Sequence, residues 1–133
     1  MSFVSDLLEH NPRATTVSKY TTVNGLLYFG AGALLVVWPD AVQAMFRDAP
    51  FVGHERAMFQ LVGMATAVIG WLYIFGGRSG ARQFVAASVI DRLFLAPSVL
   101  VSLALAGVFP HVLLAFAALD VALAIGACAL RKN

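Results

Sequence analysis

The stretch PHVLLAFAALDVALAIGACAL, residues 110–130, carries a single formal charge, Asp120, in 21 residues. That is the length an α-helix needs to cross ~30 Å of hydrocarbon. Three runs of the same kind precede it. Thr21 to Pro39 and Ala57 to Gly77 have no formal charge, and Gln83 to Phe109 is interrupted only by Asp91 and Arg92. None alternates apolar with polar residues as the ~10-residue strands of a membrane barrel do. Helices satisfy their own backbone groups, which lipid requires. The expected fold is therefore all-α: a four-helix transmembrane bundle, up-down-up-down. Its helices are expected at about 21–38, 57–77, 83–109 and 110–130, after an N-terminal interfacial segment at 1–20.

Composition points the same way. Of the 133 residues 60% are apolar and 12% charged, against about 45–50% and about 25% in ordinary soluble domains. A net charge of +2 with scattered basic residues argues against nucleic acid as a partner. The single cysteine, Cys128, excludes an internal disulfide and reads as a small apolar filler of the last helix. Asp6, Glu9 and His10 precede any long apolar run, so no cleaved signal peptide is expected.

The ends of the runs carry boundary signals. Tyr20 and Trp38 flank the first run at headgroup depth, where aromatic rings collect. Pro39 and Asp40 stop it or start a new helix. Gly76, Gly77, Ser79 and Gly80 form the turn after the second. Phe109-Pro110 makes a tight turn, with Pro suited to a first helical position, so the last two helices are antiparallel neighbours. Arg13, Lys19, Arg78, Arg82, Arg131 and Lys132 fall on one side of the membrane, and only Arg47 and Arg56 on the other. The excess of Lys and Arg faces the cytoplasm, which places both termini there in a multi-pass protein of the cell (inner) membrane.

Two short segments look amphipathic. Phe3, Val4, Leu7 and Leu8 share a face that ends at Asn11-Pro12, and Val42, Met45 and Phe46 share another in the first loop. Both suit helices lying on the membrane surface or packed on the bundle ends. Gly63, Ala67 and Gly70, with Gly25, Gly30 and Gly32, form small-residue faces that let helices approach closely, within the bundle or in a homodimer. No internal repeat is apparent.

Asp91, Arg92 and Asp120 are the main functional signal. A charge at mid-bilayer costs at least ~2.5–3.5 kcal/mol, so these side chains must face inward and find partners. At 1.5 Å per residue, Arg92 lies about 13–14 Å from the cytoplasmic start of its helix and Asp120 about 15 Å from the cytoplasmic end of the next. An Arg92–Asp120 ion pair is expected, with Asp91, about 100° away around the helix, held by Tyr28 or, less well, Ser88. Pro97 is expected to kink the helix and free a carbonyl near Leu93. Such a network either fixes helix register, adding little stability, or lines a cavity for a head group, a quinone-like ring or a proton.

A second group, His54, Glu55, Arg56 and Gln60, reads either as a solvated helix start, with Glu55 favoured by the dipole, or as the mouth of a site. Asn24 is placed to bond across helices. The histidines show no zinc spacing, and no phosphate-binding loop, dinucleotide fingerprint or nucleophile elbow is present. The sequence thus names no metal and no cofactor.

Pro39, Phe46, the Arg56, Gly63, Gly70 and Tyr73 series, and Asp120 together make the stretch from about Trp38 to Leu130 resemble small bacterial four-helix membrane proteins of the DoxX-like kind. The resemblance implies a fold and a compartment, and a few members of that group are associated with quinone-linked redox systems. It transfers no catalytic residue. The leading expectation is a binding or accessory membrane protein with a buried polar pocket for a lipid, a quinone-like molecule or a partner helix, alone or in a homodimer or larger complex. The alternatives are a membrane enzyme with Asp91 or Asp120 as acid or base, and a proton-coupled transporter acting as a dimer.

Overall fold

The computed structural model describes residues 3–9, 12 and 14–131. His10, Asn11 of the Asn11-Pro12 stop, and Arg13 and Lys132 of the charge count lie outside the described residues, as does the side chain of Leu7. The described residues form helices and connections without strands: α1 (Phe3–Leu8), α2 (Thr16–Val37), α3 (Pro39–Phe46), α4 (Glu55–Arg78), α5 (Arg82–Ile90), a π-helical turn (Asp91–Leu95), α6 (Ala96–Leu105) and α7 (Pro110–Arg131). The segment from α5 through α6 is one continuous span. With α2, α4 and α7 it gives four helices long and apolar enough to cross a membrane, packed as a four-helix bundle.

Local chemistry moves the boundaries from the expected positions. α2 starts at Thr16 rather than 21 because Thr15 caps it, its hydroxyl accepting the Ser18 amide at 3.1 Å. The third span stops at Leu105 rather than 109 because Gly107, at φ 87°, closes it. The Gly107 amide returns to the Ala104 carbonyl and that of Val108 to Leu103, both at 3.0 Å, a glycine C-cap. Pro39 and Pro110 each open a helix, where a missing N–H costs nothing.

α2 and α4 meet backbone to backbone. Ser18, Gly25 and Gly32 recur every seven residues on α2, and Gly63, Gly70 and Gly77 do so on α4, the repeat that keeps one stripe facing a partner. A Cβ on Gly25 would lie 2.5 Å from the Ile74 nitrogen and 2.7 Å from the Gly70 oxygen, and one on Gly70 would lie 2.7 Å from the Gly25 oxygen. Gly32 abuts Gly63 and Gly77 abuts Ser18, so the two helices run antiparallel. Gly30, expected on the packing face, is exposed with nothing within 4 Å of a Cβ there.

These contacts expose a repeat that the sequence reading missed. Residues 25–32, GLLYFGAG, and 70–77, GWLYIFGG, share a Gly-x-Leu-Tyr-x-x-x-Gly pattern. The contacts are reciprocal under it. Gly25 meets Ile74 and Gly70 while Gly70 meets Phe29 and Gly25; Gly32 meets Ala67 and Gly63 while Gly77 meets Thr22 and Ser18. A local twofold axis therefore relates α2 to α4.

One end of the bundle is closed by an aromatic core. Leu35, Val42, Phe59 and Val112 are buried, with Phe46, Phe51, Phe109 and Phe116 packed against them. The rings of Phe51, Phe59 and Phe109 make mutual tilted or edge contacts at 4.9–5.8 Å, a favoured arrangement. Here α3 takes the second of the two expected arrangements, packed on the bundle end: Val42 and Phe46 turn inward, whereas Met45, expected on the same face, is 65% exposed. The buried Asp48, just after α3, caps α7 from a distance. Its carboxylate accepts the His111 and Val112 amides at 2.9 and 3.0 Å and lies 3.0 Å from His111 Nδ1. An acceptor at a helix N-terminus both satisfies orphan amides and suits the dipole.

Candidate functional site

The tyrosines of the two repeats, Tyr28 and Tyr73, sit between the glycines of their stripes, three residues after one and four before the next. They therefore face the interior with the stripe. Both are buried, and their rings meet edge to face at 5.6 Å. Each hydroxyl reaches a carboxylate on another helix. Tyr28 donates to Asp120 Oδ1 on α7, and Tyr73 donates to Asp91 Oδ2, at 3.3 Å, in the π turn. The near-twofold of the α2–α4 pair is thus continued as two Tyr–Asp pairs.

Arg92 lies beside both. Only 1% exposed, it is among the largest fully buried side chains. Its Nε donates to the Ser88 carbonyl at 3.1 Å and Nη2 to the Ser88 hydroxyl at 3.3 Å. The guanidinium carbon lies 5.1 Å from the centre of the Tyr73 ring, a cation–π contact of the kind arginine favours. Nη1 is buried and has no hydrogen-bond partner.

The partners differ from those expected. No ion pair joins Arg92 to Asp120 among the described residues, and Tyr28 serves Asp120 rather than Asp91. Arg92 turns back along its own helix to Ser88, one turn earlier, which leaves Asp120 to the Tyr28 hydroxyl. Pro97 cannot donate an amide, and the turn before it widens, with the Ala96 amide bonding to the Asp91 carbonyl. Asp91 is half-buried, and Asp120 is 6% exposed.

Among the described residues, the other side chains singled out from sequence make no hydrogen bond or ion pair to this layer. Asn24, 3% exposed and one turn from Tyr28 on the same face, has an unpartnered amide nitrogen. Gln60 donates to the Val36 carbonyl of α2 at 2.9 Å. Arg56 pairs with Asp40 at 3.0 Å, both more than half exposed, and Glu55 accepts the Val52 amide at 2.8 Å. These bonds tie the start of α4 to its neighbours. Among the described residues no group of His, Cys, Asp and Glu is arranged to hold a metal.

Tyr73 is a member of the layer that the sequence did not single out as a site residue, and Asp48 is a buried cap outside the layer that it did not single out either. Tyr73 was detectable, because the Gly70 to Gly77 spacing places it on the buried stripe. Asp48 was not: its role as a cap depends on a contact across more than sixty residues.

A cleft of about 680 Å³ opens elsewhere, between the start of α2, one face of α5 and the end of α7. Its lining runs along α5 from Arg82 to Ile90, the residue before Asp91, and includes Ala127, Cys128 and Arg131 of α7. The Tyr–Asp–Arg layer does not line it. Compared with known proteins, the chain matches no family model, no curated protein and no solved structure.

Proposed function

We propose that the chain is a multi-pass protein of the cell (inner) membrane, of the DoxX-like kind, that binds a lipophilic ligand without transforming it. In this reading the four spans cross up-down-up-down with both termini in the cytoplasm. α1 lies at the membrane surface: its Phe3, Val4 and Leu8 are all exposed, as an interfacial helix requires. The observation that carries the binding role is the cleft of about 680 Å³, within the 300–1,000 Å³ of ordinary ligand pockets. Its walls Val85, Val89 and Ile90 are apolar, and its lining reaches the residue before Asp91. Binding is favoured over acid–base catalysis because neither intramembrane carboxylate, Asp91 or Asp120, lines the cleft.

The test is native mass spectrometry of gently solubilised protein. The wild type carries a copurified lipophile. Ala86→Trp, at an exposed position lining the cleft, loses it while helical content and elution volume stay unchanged. Retention of the same adduct by the variant, or its absence from the wild type, overturns the reading.

A further inference from the structure

The cleft has two chemically different ends. Its mouth brings together Arg82, the first residue of α5, and Arg131, the last of α7, beside the Thr15 and Thr16 hydroxyls at the start of α2. Its inner wall is apolar as far as Ile90, about 12 Å further along α5 at 1.5 Å per residue. Among the described residues no carboxylate lines it.

Three arginines already have partners: Arg56 pairs with Asp40, Arg78 reaches the Leu8 carbonyl and the Phe75 ring, and Arg92 is bound to Ser88. The side chains of Arg47, Arg82 and Arg131 have neither a hydrogen bond nor an ion pair among the described residues, and of these Arg82 and Arg131 line the cleft. Arg131 suits the negative end of α7. Arg82 stands at the positive end of α5, where the helix dipole opposes a cation, so helix stability does not account for it. An anion at the mouth would find two unpaired guanidiniums lining it, groups that bind phosphate in a fork.

We propose that the occupant is an anionic glycerophospholipid, its phosphodiester at Arg82 and Arg131 and an acyl chain along α5 and α7. This rests on the cleft being the lipophile site and adds the chemistry of the head group. A neutral quinone would leave both arginines unpaired. A soluble phosphate would leave the apolar wall empty.

The experiment titrates the full-length chain in detergent, read by native mass spectrometry, with phosphatidylglycerol, with phosphatidylcholine of the same acyl chains, and with glycerol phosphate. Phosphatidylglycerol binds at least tenfold tighter than phosphatidylcholine. Arg82→Gln and Arg131→Gln each reduce that preference about fivefold, the worth of one basic residue facing an anionic lipid, and the double variant abolishes it. Arg47→Gln, at an exposed site outside the cleft, leaves it intact, and glycerol phosphate does not compete. If both lipids bind alike while Ala86→Trp still excludes them, the cleft stands and the head-group assignment falls. If Ala86→Trp leaves phosphatidylglycerol binding untouched, the cleft reading falls with it. Competition by glycerol phosphate at the lipid's own affinity makes the site one for a soluble anion and overturns the proposal.

Discussion

Asp120 accepts the Tyr28 hydroxyl and has no other hydrogen-bond partner among the described residues, in a position 6% exposed. Asp91 is half-buried, and its bond from Tyr73 is 3.3 Å long. Interhelical hydrogen bonds in membranes average about 0.6 kcal/mol and reach about 1.7, and leaving a buried acceptor unsatisfied adds to that loss. Tyr28→Phe is therefore expected to destabilise the folded protein by about 1–2 kcal/mol, and Tyr73→Phe by less, in denaturation followed by circular dichroism in mixed micelles. Equal losses, or a larger one for Tyr73→Phe, would show that burial does not set the strength of these bonds. The members Asp91, Arg92, Asp120 and Tyr28 were legible in the sequence because charge and polarity stand out in apolar runs. Their pairing was not. Depth follows from residue counting, but a long side chain can bond back along its own helix, as Arg92 does to Ser88, and residue counting does not reveal that choice.

Glycine makes the contrast between two kinds of helical surface testable within one element pair. On Gly70 a Cβ would press on the Gly25 oxygen at 2.7 Å, and the atoms it meets are backbone, which cannot swing aside. On Gly30 it would meet nothing. Overpacking costs about 1–3 kcal/mol, whereas replacing an unconstrained helical glycine by alanine gains roughly 0.5–1 kcal/mol. Gly70→Ala should lower the thermal midpoint in detergent, and Gly30→Ala should leave it unchanged or raise it. The reverse order would mean that α2 and α4 are not in backbone contact. Glycine content predicts close packing but not which glycines take part: Gly30 falls outside the seven-residue register that carries the contact. The registers Ser18–Gly25–Gly32 and Gly63–Gly70–Gly77 become visible only when the two helices are laid side by side, because each stripe alone is one of several small-residue patterns. Likewise α3 was read as amphipathic, yet which of Val42, Met45 and Phe46 turns inward depends on the aromatic core that other elements supply.

At the scale of the molecule, the outward surface decides where the protein resides. Of the span from Arg82 to Leu105 only 11% of the apolar window is buried inside the bundle. Exposed Ile90, Phe94, Leu95 and Val99 form a flank that water would not tolerate and lipid would. Four such spans fix the class of protein. The way they thread the bilayer rests on charge, with Arg78 and Arg82 bracketing one turn and Arg47 and Arg56 the other. Those turns precede and follow the single helix α4 and so lie at opposite ends of it; placing one places the other. A single thiol reports which is which. In a Cys128→Ser background, Ser79→Cys should react with a membrane-impermeant maleimide in inverted vesicles and stay unlabelled in intact spheroplasts, and Val52→Cys should do the opposite, both positions being exposed. Labelling of Ser79→Cys from the outside would invert the orientation and move the Arg82–Arg131 mouth of the cleft to the outer leaflet. The helix pairing, which owes nothing to which side is positive, would survive that result.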